Sequence, residues 1–118
     1  MSYVQGFVIP VPKANKEAYT KVAEASGVIF QEYGAVRIVE NWSETTPDGK
    51  VTDFKMAVKA EADEAVVFSW IEWPDKATCD AAAEKMQNDA RFEKMGEMPF
   101  DGKRMIYAGF DPIYETSK

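Results

Sequence analysis

The sequence predicts a single α+β domain of the ferredoxin-like plan, βαββαβ with an antiparallel sheet, spanning residues 1–118. Three observations carry this. The chain has 118 residues, the size of one domain. It is 46% hydrophobic and 29% charged, a globular balance. Four segments rich in β-branched and aromatic residues alternate with two of helical periodicity, in the order strand, helix, strand, strand, helix, strand.

The first strand is Tyr3–Ile9, expected to stop at Pro10-Val11-Pro12 because proline cannot donate to a ladder. Asn15 is a good N-cap, and Tyr19, Val22, Ser26, Ile29, Phe30 and Tyr33 follow at helical spacing up to the stop at Gly34. Gly27 inside this helix costs about 1 kcal/mol against alanine and suggests close packing there. Ala35–Trp42 is the second strand, with Val36, Ile38, Glu40 and Trp42 on one side and Arg37, Val39 and Asn41 on the other. Pro47-Asp48-Gly49 marks a turn. Phe54–Ala60 fits either period and is read as a short irregular helix. Ala65–Trp73 is the third strand, apolar on both sides and so expected to be covered on both. Asp75 caps a helix running to about Asp89, with Thr78, Cys79, Ala82, Ala83 and Met86 inward. Ala90–Met95 is a further helical turn, Met98–Gly102 a turn, and Lys103–Phe110 the last strand before a fraying tail.

Small counts exclude much chemistry. There is no histidine, hence no imidazole base, no Ser-His-Asp or Cys-His pair and no His-ligated metal or haem. One cysteine forms no internal disulfide, and Cys79 reads as an inert core thiol. The acidic residues lack metal-loop spacing, and no phosphate loop or nucleophile elbow is present, so neither metal nor cofactor is expected. Fourteen Lys+Arg against twenty Asp+Glu give a net charge of −6, which disfavours nucleic acid as a partner. The start lacks a signal-peptide pattern and no apolar run approaches the ~20 residues of a membrane span, so a cytoplasmic location with no membrane partner is expected.

An open sheet of this plan carries helices on one face. The other face is expected to hold some combination of Phe7, Ile9, Val39, Ile71 and Trp73, too apolar to stay wet. A homodimer with its two sheets packed face to face would cover it.

Several blocks carry a family resemblance. They are Ser2–Pro12 (SYVQGFVIPVP), Glu64–Ile71 (EAVVFSWI) and Met98–Phe110 (MPFDGKRMIYAGF), with Pro47–Thr52 and Asn88–Arg91 in register between them. The chain resembles the YbaA-like family of small bacterial proteins, a domain of unknown function, over nearly its whole length. That resemblance implies the dimeric α+β barrel superfamily, which also holds cofactor-independent quinone-forming monooxygenases, haem-degrading enzymes and stress-response proteins. Fold alone does not choose among them. Asn41-Trp42 stands where a Cys-containing segment is common, so no role of that cysteine carries over, and Asn88-Asp89-Ala90-Arg91 lacks a proline usual at its third position. Family members are sometimes labelled RNA-associated, against which the −6 charge argues.

The cavity between sheets is the expected site for a small-molecule ligand. Glu40 and Glu72 are the acid–base candidates, since a carboxylate among Trp42, Trp70 and Trp73 would have its pKa raised. Salt bridges to Arg37 or Arg104, or exposure at a strand end, are the commoner outcome for such residues. Trp42, Trp70, Trp73 and Tyr107, with Arg37, Asn41 and Arg104, could hold an aromatic or quinone-like ligand, although strand aromatics more often form plain core. Two functions follow. One is a dimer binding such a molecule, with cofactor-free monooxygenase-type activity. The other is a non-catalytic stress-response or regulatory protein acting through dimerisation and partner binding.

Overall fold

β1 (Tyr3–Pro12) and β3 (Glu64–Trp73) are rich in β-branched and aromatic residues and pair antiparallel, from Tyr3 opposite Trp73 to Pro12 opposite Glu64. β2 (Arg37–Ser43) joins the far side of β3 and β4 (Ile106–Phe110) the far side of β1, giving the order β2-β3-β1-β4, antiparallel throughout. The helices are α1 (Lys16–Glu32), α2 (Phe54–Ala57), α3 (Lys76–Met86) and α4 (Ala90–Lys94). This computed structural model describes residues 2–118.

β1 continues through both prolines. β4 pairs only with Val4–Val8, so past Val8 that side of β1 has no ladder for a proline to interrupt. β4 is correspondingly shorter than expected. Asp101 accepts from the Lys103 amide at 3.0 Å and turns Gly102–Arg104 into a 3-10 helix before the strand begins. Asn15 stands at the N-cap of α1, but its side chain donates to the Pro99 carbonyl at 2.9 Å and tethers a distant loop instead of capping. Gly34, at φ +112°, ends the helix in a region that favours glycine. Asp75 caps α3 through the Thr78 amide at 2.7 Å. α3 stops at Met86 rather than near Asp89, because Asp89 caps α4 through the Arg91 amide. The ambiguous segment after the Pro-Asp-Gly turn is helical over Phe54–Ala57, fixed by Asp53 accepting from the Met56 amide at 2.7 Å.

Side-chain alternation gives the sheet two unlike faces. The covered face carries Ile9, Val11, Val67, Ile71 and Trp73, packed against Tyr19 of α1 and Cys79 and Ala82 of α3. Burial pushes the Cys79 thiol pKa up, which keeps it protonated. Ala83, expected inward, is exposed.

The open face differs from expectation in its residues but not in kind. Phe7, Ile9, Ile71 and Trp73 lie under the helices; of the expected set only Val39 is on the bare side. Its apolar groups are instead Val8, Val66, Phe68, Trp70, Ile106 and Phe110, with Phe68 and Phe110 largely exposed. Both faces of β3 are apolar, so the sequence alone could not say which one the helices take. β3 is covered on both faces only over its first half, where Val66 is buried on the open side and Phe54 of α2 meets Phe68 edge-on with ring centres 6.0 Å apart.

Candidate functional site

α1 and β2 form the two walls of a slot. They are joined by the short turn at Gly34 and run in opposite directions, so three pairs of residues face each other along its length. The Lys16 ammonium lies 5.5 Å from the Trp42 ring centre. The Tyr19 hydroxyl donates to Glu40 Oε1 at 2.6 Å. A Cβ on Gly27 would lie 3.6 Å from Ile38 Cδ1, an ordinary contact; Gly27 lines open space rather than a tight packing point. The slot has a volume of about 470 Å³. Behind it is a second, apolar hollow of about 140 Å³ bounded by Phe7, Phe30, Ile71, Met98, Phe100 and Met105. Tyr19, Ala23 and Glu40 line both, so the Glu40 carboxylate stands at the neck between them.

Glu40 is exposed to solvent on its slot side, with protein packed around its carboxylate on the others. Loss of water raises its pKa above the ordinary carboxylate value, against the lowering effect of hydrogen bonds from Tyr19 and Ser69. The Tyr19 phenol is pushed far above its ordinary value, first by burial and then by its bond to Glu40 and that group's charge. Tyr19 is therefore a permanent donor near neutral pH. Ser69 is buried and sits directly opposite Glu40 across the β2–β3 ladder. The trio offers one titrating carboxylate held by two neutral hydroxyls, facing both a polar and an apolar space. That arrangement suits taking a proton from a bound molecule and returning it.

The structure divides the residues expected at the site into groups. Trp42 flanks Glu40 at the slot, its indole donating to Glu44 at 2.8 Å; Asn41 borders the slot through its place on β2, but alternation puts it on the open face, where its amide donates to the Phe68 carbonyl at 3.0 Å. Arg37, Trp70 and Glu72 gather on the open face, where Glu72 Oε2 accepts from Arg37 at 3.3 Å and from the Trp70 indole at 2.9 Å. Trp73 is buried on the covered face and donates to Gln5 at 2.9 Å. Tyr107 on β4 stacks on Phe7 with ring centres 6.0 Å apart. Arg104 clamps Glu64 with bonds of 2.6 and 2.7 Å, and also reaches Asp101 and the Lys59 carbonyl. Four of its five donors are thus engaged within the chain. Lys16 and Tyr19 were not singled out by sequence. Tyr19 falls at apolar helical spacing and reads as core, but a buried phenol needs a hydrogen-bond partner, and that requirement points to a polar neighbour.

Among the described residues, no group of three His, Cys, Asp or Glu side chains is gathered as a metal site needs, and no helix is long and apolar enough to cross a membrane.

The fold is similar to that of SnoaB, a cofactor-independent oxygenase from Streptomyces nogalater crystallised as a mutant. The TM-score is 0.57 at 10% identity, covering 99% of this chain and 98% of that one. A putative antibiotic biosynthesis monooxygenase from Nitrosomonas europaea matches at a TM-score of 0.52 and 12% identity, over 98% and 94% of the two chains. At such identities the likeness shows the shared fold, a ferredoxin-like α+β domain of the dimeric α+β barrel kind. In sequence, the chain is 58% identical over 116 residues to the uncharacterized protein YbaA of Escherichia coli strain K12, covering 98% of this chain and 99% of that protein. The Shigella flexneri protein of the same description matches equally. Residues 2–102 match the family described as protein of unknown function (DUF1428), and the chain belongs to that family.

Proposed function

We propose that this protein is a cytosolic homodimer that binds a small aromatic or quinone-like molecule in the slot between α1 and β2. There Glu40 acts as the base of a cofactor-free oxygenation. The observation that carries this reading is the Glu40–Tyr19 pair at the neck of the two spaces. The concavity holding Glu40 is on the helix side of the sheet, so the ligand is assigned there rather than between two sheets. Glu40 takes a proton from an activated CH₂ of the aromatic substrate, and the resulting carbanion is oxidised by dioxygen with formation of a C–O bond. The hydroperoxide then loses water to leave a ketone, so that R₂CH₂ + O₂ gives R₂C=O + H₂O. Tyr19 and Ser69 hold the carboxylate in place and do not change protonation. The histidine-free composition fits such chemistry, in which the substrate itself reduces oxygen.

The test is a panel of phenols, quinols and anthrones. We expect thermal stabilisation, tryptophan quenching and oxygen uptake with one or more of them. Glu40→Gln should retain binding and lose oxygen uptake by at least 10²-fold. No thermal shift and no quenching across the panel would count against the slot as a ligand site. Retained uptake in Glu40→Gln would remove Glu40 from the chemistry. A non-catalytic partner-binding role is the second reading, supported by the exposed apolar face of the sheet; it gains if binding and uptake are both absent.

Dimerisation is assigned to that face, through Phe68, Trp70, Ile106 and Phe110. Light scattering should give twice the 13.2 kDa chain mass at micromolar concentration. Phe68→Asp should halve it; a monomeric wild type refutes the assignment.

A further inference from the structure

The slot is electrically polar along its length, and this bears on what it would hold. Lys16 stands at one end, beside Trp42, and its ammonium has no carboxylate within ion-pair distance among the described residues. The acidic side chains of the lining, Glu40 and Glu24, lie further along. Glu40 is two residues from Trp42 on the same side of β2, about 7 Å away. Tyr19 is one helical turn from Lys16 on α1, about 4.5 Å of rise. Along both walls the backbone spacing between the Lys16 end and the Glu40–Tyr19 pair is therefore about 5–7 Å, roughly the span of one or two fused rings. Trp42 supplies an apolar surface at the Lys16 end, and Ala23 and Gly27 keep the facing wall of α1 shallow enough for a flat body.

We propose that the slot selects aromatic acids, with the anionic group of the ligand on Lys16, its ring against Trp42, and the acidic hydrogen at Glu40. This rests on the slot reading above and deepens it. The two ends act together. Lys16 attracts the carboxylate of the ligand, while Glu40 and Glu24 repel it, so only one of the two lengthwise orientations is favourable. Arene length sets whether the reacting carbon reaches Glu40 once the acid is seated. A neutral ring of the same shape would lack both the attraction and the orientation.

The experiment uses three matched pairs: benzoate, 1-naphthoate and 9-anthroate, each against its own primary carboxamide. Binding is measured by calorimetry and thermal shift on the wild type, Lys16→Met and Lys16→Arg. Lys16 is exposed and at the start of α1, so both variants are expected to melt near the wild-type temperature. For at least one pair, the carboxylate should bind the wild type tenfold or more tightly than the amide. Lys16→Met should abolish that preference and Lys16→Arg should keep it, and the preference should shrink as salt is raised. Acid and amide binding equally would overturn the inference and leave the slot reading standing. So would an acid preference that survives in Lys16→Met, since another group would then hold the anion. If no acid or amide binds at all, the inference fails together with the reading on which it rests.

Discussion

Tyr19, Glu40 and Ser69 show how three residues on three elements make one titrating group. The bond from Tyr19 favours the ionised form of Glu40, and burial opposes it. Removing the hydroxyl by Tyr19→Phe should therefore raise the Glu40 pKa further and cost about 1 kcal/mol of stability. The acid limb of the kcat/KM profile should move to higher pH; a limb that stays put would show that Glu40 is not the group it reports. The linkage sign is equally definite. A carboxyl whose pKa is raised by folding contributes stability that is present below its unfolded pKa and lost as pH rises through its folded one. Glu40→Gln should thus melt higher than the wild type near neutral pH and lose that advantage in acid. Glu40 stood out in the sequence as a carboxylate inside an apolar strand. Its partner did not, because helical spacing gives a core tyrosine and a site tyrosine the same position. Glu72 stood out for the same reason as Glu40 and is paired with Arg37 on the other face.

At the scale of elements, α1 carries the slot and its weakest point. Gly27 is a helix-interior glycine with an ordinary van der Waals contact waiting for a methyl group. Gly27→Ala should stabilise the protein by about 1 kcal/mol. It should also narrow the slot and weaken aromatic-acid binding severalfold, a trade measurable by melting and calorimetry on the same variant. Unchanged stability would mean that the added methyl strains Ile38. Elements were legible where local chemistry decides them: Gly34 as a stop, Asp75 as a cap, the ambiguous segment at Phe54 as a short helix. They were misjudged where a distant partner decides. Pro10 and Pro12 sit in a strand because β4 is short, and Asn15 spends its amide on the Pro99 loop. Gly109 is a further case, since a Cβ there would fall 1.7 Å from the Tyr3 hydroxyl, a clash that only the β1–β4 register creates.

For the whole molecule, the acidic side chains work in opposite directions with pH. Asp53, Glu64, Asp75, Asp89 and Asp101 are all held below the ordinary carboxylate range. Backbone amide bonds do this first for Asp53, Arg104 for Glu64 and Asp101, Thr78 for Asp75 and Arg91 for Asp89. Each contributes stability that is present above its unfolded pKa and lost as pH falls through its folded one. The urea midpoint should therefore fall steeply once pH drops below about 4, where carboxylates ordinarily protonate, while Glu40 contributes the reverse slope. A midpoint flat from pH 5 to 2 would contradict these assignments. The fold class was legible because element order and periodicity are properties of the chain itself. Which face the helices cover was not, since β3 is apolar on both sides and the choice belongs to packing across the whole domain.

The central ladder has a kinetic consequence. β1 meets β3 with Tyr3 opposite Trp73 and Pro12 opposite Glu64, so forming any of these pairs closes a loop containing α1 and β2, the two walls of the slot. The slot walls themselves are neighbours in sequence and need no such closure. Chain entropy thus sets the pace of folding at the β1–β3 register, while the helix–strand unit beside it can form and dissolve earlier and faster. The slot walls are assembled from local contacts, and the β2–β3 pairing that sets Ser69 opposite Glu40 is also short in sequence; only the hollow behind them, lined in part by Phe7 and Ile9 of β1, waits for the slowest pairing.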